Sequence, residues 1–173
     1  AASTLRAALE DGHEAGIDCW DHVLWQDNVR HRDGEWTRAQ MNRAWSRYVE
    51  IFGRCPATHG AAGWQMNAEA FRQLDDWGLS HASDGRGGGP YVAVIDGHPC
   101  HHVQLPTTLP TFDEVLGRAG IDPGNLVGHF LSLTRNDHDQ VFTAHAELEG
   151  GRLAGHFEAL LAGWRGQGHE LVC

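Results

Sequence analysis

The feature that most limits the fold is an alternation along the chain. Short apolar segments, at 15–18, 57–60, 79–83, 103–105 and 140–144, are interleaved with stretches of helical spacing. Strands of this length, each followed by an amphipathic helix, predict parallel β/α units. About five such units fit, too few to close an eight-stranded barrel. The expected fold class is therefore α/β, as a deformed, incomplete (β/α) barrel, with a doubly wound open sheet as the competitor. The 173 residues suit one domain, 1–173, large enough to bury roughly 70% of its unfolded surface.

Punctuation supports this reading. Thr37 and Gln40 have capping-box spacing, and Met41, Ala44, Tyr48 and Phe52 follow at helical intervals until Gly53. Asn67 is placed to cap a helix carrying Phe71, Leu74 and Trp77, closed by Gly78. Residues 84–99 are glycine-rich and read as a long loop. Thr111 and Glu114 form a second capping box, and Asp122-Pro123 has the form of a helix start. Residues 153–164 carry a last helical stripe, and 170–172 a final strand.

Charge and cysteines narrow the function. A formal net charge of −10 argues against nucleic acid, whose phosphates need clustered Lys and Arg, and against a polybasic membrane patch. The four cysteines form no C-x-x-C pair and read as free thiols in a reducing compartment. The 13 histidines are the informative excess, pointing to metal or proton-transfer chemistry. Cys100-His101-His102 are adjacent, and neighbours in a chain cannot easily chelate one ion. No further ligand is spaced to help them, so the expectation there is an ordinary loop.

In parallel β/α folds functional groups gather where strands end. Those places read GHEAGIDCWDH at 12–22, THGAAGWQ at 58–65, SDGRG at 83–87, QLPTTLPTFDEV at 104–115 and FTAHAELEG at 142–150. In that order the segments resemble the polysaccharide deacetylase (NodB-homology) family, most closely its members that deformylate a 4-formamido-arabinose phosphate on a polyprenyl carrier. The likeness runs over nearly the whole chain, and CWDH, LPTFDEV and HAELEG are its most specific parts.

The resemblance implies a single catalytic domain of the NodB-like barrel type that hydrolyses an N-formyl amide with one divalent metal ion (Zn, Mn or Co). The implied substrate is a lipid-linked amino-sugar phosphate. Its product would feed aminoarabinose modification of lipid A and resistance to cationic peptides such as polymyxin. The implied location is the cytoplasmic face of the bacterial inner membrane, by peripheral contact, or the cytoplasm. Two departures stand out. The family's first strand, with an aspartate pair supplying a general base and a metal ligand, is not within residues 1–173, so an N-terminal truncation is expected. The position of the first metal histidine is held by Asp18.

Residue by residue, the resemblance makes His22 and Asp18 the metal ligands and His145 the general acid for the leaving amine. Asp84 matches the acidic residue that orients and tunes that histidine. Arg86, Trp64, His59, Glu147 and Glu149 are the implied substrate contacts, with Trp20 and Trp25 as further candidates for sugar or lipid. Two alternatives stay open: another N-acyl amino-sugar deacetylase of this fold, or a non-catalytic sugar- or lipid-binding remnant.

Overall fold

A computed structural model describes residues 2–135 and 138–172. The chain divides into two compact units, 1–106 and 107–173. Each has its own apolar core.

The first unit begins with helix α1 (Ala2–Glu10). Helix α2 (His22–Asn28) follows, in a stretch whose polar sequence suggested a loop. Asp21 caps it by accepting a hydrogen bond from the Leu24 N–H at 2.9 Å. Trp25 anchors it, 1% exposed, with its indole N–H donating to the Gln65 carbonyl at 2.8 Å. Trp25 is thus a core residue rather than a sugar contact.

Helix α3 (Gly34–Phe52) starts a turn before Thr37. Asp33 takes the cap position, its carboxylate accepting from the Trp36 N–H at 2.9 Å. Thr37 lies fully buried inside the helix and donates to the Asp33 carbonyl. A carboxylate one turn upstream displaced the expected threonine cap. The far end is as read, with Gly53 left-handed at φ 68°. Helix α4 (Ala68–Trp77) is likewise as read, capped by Asn67 and ended by Gly78 at φ 65°.

Between the helices lie β1 (Thr58–His59), β2 (His81–Ala82) and β5 (Val103–Gln104), hydrogen-bonded in the order β1-β2-β5 with every pair parallel. Ile17 adds a single parallel bridge to His59, so the expected strand at 15–18 is reduced to one residue. The glycine-rich stretch is not all loop. It holds an antiparallel hairpin, β3 (Val94–Ile95) with β4 (His98–Pro99). Asp96 and Gly97 turn it with φ of 51° and 81°, the left-handed pair that suits strand twist. Trp25, Val29, Met41, Ala70, Leu74 and Ala82 form the main core, all at most 1% exposed.

The second unit is helical. Its elements are α5 (Phe112–Val115), α6 (Leu126–Leu133) and α7 (Ala154–Gly166). The capping box at Thr111 and Glu114 is present. Asp122-Pro123 does not begin α6. Asp122 instead accepts from the Gly124 and Asn125 N–H groups, a local turn that delays the helix to Leu126. The expected strands at 140–144 and 170–172 join no ladder. Val141 is held by Thr108, whose N–H donates to its carbonyl at 3.0 Å and whose hydroxyl accepts from its N–H at 2.8 Å. Phe112, Phe130, Leu126 and Leu160 are fully buried around the Phe142 ring.

Cys19, Cys55 and Cys100 are free thiols, and Cys173 lies outside the described residues. Among the described residues no helix is long and apolar enough to cross a membrane.

Candidate active site

Parallel pairing aligns the carboxyl ends of Ile17, β1 and β2, and polar side chains follow each. Asp18 comes directly after Ile17. Its Oδ1 accepts the Cys19 N–H at 2.7 Å, and its Oδ2 lies 3.4 Å from His22 Nδ1. Both side chains are half exposed, 51% and 59%. Burial, then the neighbouring Asp18 charge, pushes the Cys19 thiol far above its ordinary pKa, so Cys19 is not a thiolate nucleophile.

Two ligand atoms on one ion with bonds of about 2.0–2.2 Å sit roughly 3 Å apart, so the Asp18–His22 pair fits a shared divalent cation. It supplies only two donors. No third His, Cys, Asp or Glu among the described residues groups with them as a potential ligand set. An oxygen and an imidazole nitrogen suit Mn²⁺, Co²⁺ or Zn²⁺ without selecting among them.

Behind this pair sits a buried network. His59, at the end of β1, and Asp84, two residues past β2, are 4% and 2% exposed. His59 Nδ1 is hydrogen-bonded to Asp84 Oδ1. Gln104, at the end of β5, closes the other side: its amide N–H donates to Asp84 Oδ2 at 2.7 Å, and its carbonyl oxygen accepts the Asp84 N–H at 3.0 Å. All three strands thus contribute to fixing one carboxylate. Burial, then the Asp84 charge, raises the pKa of Tyr91. The Tyr91 hydroxyl lies 3.0 Å from where a Cβ on Gly85 would stand, which explains a glycine there.

Arg86 stacks over Trp64, with 4.6 Å from guanidinium carbon to ring centroid. Trp64 has φ of 55°, in the left-handed region, directly after Gly63 at φ 58°. An aromatic residue there is uncommon and marks a loop shaped by its side-chain contacts. Trp20 is exposed and carries Arg43 over its ring at 4.3 Å.

In the second unit His145 Nδ1 lies 3.1 Å from Asp113 Oδ1, in the first turn of α5. The His145 backbone N–H donates to Glu149 Oε2 at 2.7 Å. Glu149 is 3% exposed and its Oε1 is buried without a hydrogen-bond partner among the described residues, whereas Glu147 is exposed. Burial acts to raise the Asp113 pKa, but the Thr111 hydroxyl, its own N–H and His145 outweigh burial and hold it below the usual carboxylate range.

The carboxylate beside His145 is therefore Asp113, which sequence reasoning did not single out. Its signal was its place in LPTFDEV, where the capping box drew attention to Glu114 instead. Asp84, expected as the partner of His145, has its carboxylate engaged by His59 and Gln104. Gln104 was also passed over, because a glutamine ending a strand carries no chemical signature of its own.

Short parallel strands with polar groups at their carboxyl ends are an α/β arrangement, and a solved structure shares the fold. A polysaccharide deacetylase of Mycobacterium smegmatis matches with a TM-score of 0.69, at 20% identity, over 93% of this chain and 59% of that one. This shows the fold and bears out the expected class. No protein-family model matches the chain. In sequence the chain is similar to a 4-deoxy-4-formamido-L-arabinose-phosphoundecaprenol deformylase (ArnD) of Shewanella sediminis, 29% identical over 160 residues. It is also similar to the protein of that name in Wigglesworthia glossinidia brevipalpis, 28% identical over 160 residues. These matches cover 92% and 91% of the chain. The chain spans about half the length of these curated relatives, 51% and 55%.

Proposed function

We propose that the protein containing this chain is a metal-dependent amide hydrolase that removes the N-formyl group from a 4-formamido-arabinose phosphate on a polyprenyl carrier. The observation that supports this most is the likeness to deformylases over 160 residues.

In this reading Asp18 and His22 are metal donors, and the remaining donors are those the resemblance assigns to a strand outside residues 1–173. A divalent ion held there would supply Lewis-acid polarisation of the formyl oxygen and a lowered pKa for its water. Water adds to the formyl carbon, losing a proton to the general base that the resemblance assigns to an aspartate outside residues 1–173; the C–N bond then breaks, and the amine nitrogen needs a proton to leave. His145 supplies it. Asp113 accepts a hydrogen bond from Nδ1–H and so fixes the tautomer and ring orientation, leaving Nε2–H as the group that donates the proton. Formate and a free 4-amino sugar result.

Within the first unit the buried His59–Asp84–Gln104 network is a frame for the carboxyl ends of β1, β2 and β5. Arg86 suits a phosphate and Trp64 a sugar ring, with exposed Glu147 as a further substrate contact; His59 and Glu149, expected as contacts, are 4% and 3% exposed and serve as framework instead. Val23 (61% exposed), Leu24 (39%) and Trp20 (42%) flank His22 and Asp21, an apolar fringe that suits a polyprenyl tail. Such a substrate implies peripheral contact with the inner membrane and a role in aminoarabinose modification of lipid A.

Formate release from the formamido substrate by the full-length protein tests the reading. EDTA should abolish it, added divalent metal restore it, and His145→Ala reduce it by roughly 100- to 10,000-fold with metal content unchanged. Asp18→His should keep or raise metal affinity. Faster turnover of the acetamido analogue would instead indicate another deacetylase of this fold. Binding without turnover of either would indicate a non-catalytic remnant.

A further inference from the structure

The Cys100-His101-His102 run looked too compact to chelate, because no further ligand stood near it in the sequence. The fold supplies one. Asp75, in the last turn of α4, faces the segment between β4 and β5 from 25 residues upstream. One ligand atom each from Asp75, Cys100 and His102 lies within 4.8 Å of the others.

His102 is 1% exposed and Cys100 8%. His102 Nδ1 lies 2.8 Å from Asp75 Oδ1, and His102 Nε2 is buried with no hydrogen-bond partner among the described residues. The Asp75 carboxylate also accepts the His101 N–H at 2.8 Å and faces His101 Nδ1 at 3.1 Å. Hydrogen bonding within the protein therefore uses one nitrogen of the buried ring and strands the other. A carboxylate, a buried imidazole and a buried thiol that converge within 4.8 Å offer three donors to one ion.

We propose that Asp75, Cys100 and His102 bind a single divalent cation of the zinc class, separate from the Asp18–His22 pair. Sulfur, nitrogen and oxygen together favour Zn²⁺ or Co²⁺ over the hard ions Mg²⁺, Ca²⁺ and Mn²⁺. Tetrahedral zinc with bonds of about 2.0–2.3 Å needs its ligands roughly 3.3–3.8 Å apart, so closing the site takes side-chain shifts of about 1 Å. The Asp75 side chain is 21% exposed, which gives a path for entry and a place for a water as fourth ligand. The ion would tie α4 to the segment joining β4 and β5, a structural role independent of the proposed hydrolase activity.

The test is titration of the purified metal-free chain with Co²⁺, read as thiolate-to-cobalt charge-transfer absorption. One equivalent should produce the band. His22→Ala should leave it unchanged, Cys100→Ser should remove it, and His102→Gln should weaken binding at least tenfold. Absence of the band in the unaltered chain, or its survival in Cys100→Ser, would overturn the proposal. Should the variants fail to fold, X-ray absorption on the zinc-loaded unaltered chain decides: one sulfur in the first coordination shell is expected, and a shell of nitrogen and oxygen alone defeats the site.

Discussion

Two histidine–carboxylate pairs in the first unit are alike in composition and opposite in setting. The His59 and Asp84 side chains are 2% and 0% exposed, and a third side chain grips the carboxylate. Those of His22 and Asp18 are 59% and 51% exposed and sit at a looser 3.4 Å. Removing one partner of a buried pair leaves an uncompensated polar group in a low dielectric, whereas an exposed pair is released into water. The buried pair is thus framework, and the exposed pair has atoms available to a ligand.

Breaking that contrast should give effects in a definite order. Asp84→Ala should cost about 3–5 kcal/mol of stability, read as a lower urea midpoint at unchanged slope. Gln104→Leu leaves the His59 contact but orphans one carboxylate oxygen and the Asp84 N–H. It should cost about 1–3 kcal/mol by the same measurement. His22→Ala should change stability by no more than about 0.5 kcal/mol while weakening binding of added Mn²⁺ or Zn²⁺. Equal losses from Asp84→Ala and His22→Ala would erase the distinction.

The smallest effect concerns the half-exposed Asp113 of the second unit. Its folded pKa is depressed, so its stabilising contribution is fully present above the ordinary carboxylate pKa. That contribution fades as pH falls through the lowered folded value. Asp113→Asn should therefore lower stability slightly near neutral pH and flatten the acid limb of the stability-against-pH curve, the two proteins converging at low pH. Thermal melts across that range would show it.

Local signals carried much of the fold. Gly53, Asn67 and Gly78 mark helix ends by backbone requirements that act within four residues, and all three fell where expected. The misses came where two local solutions competed. Asp33 and Thr37 both offer cap oxygens, and Asp122 prefers its own turn to starting a helix. Strands of two residues barely express an alternation pattern, so 140–144 could not be told from a genuine strand. The candidate site was legible in its residue types but not in its partnerships. His59 with Asp84 and His145 with Asp113 span 25 and 32 residues, and only the tertiary fold brings them together. Asp75 with His102 was illegible for the same reason.

The turn at Gly63-Trp64 ties backbone shape to what lies on an aromatic face. Holding a side chain larger than glycine's in the left-handed region costs about 1–2 kcal/mol, which contacts such as the Arg86 stack must offset. The Arg86 stack is one of those offsets, so the backbone shape of this loop depends in part on a ring contact at its surface.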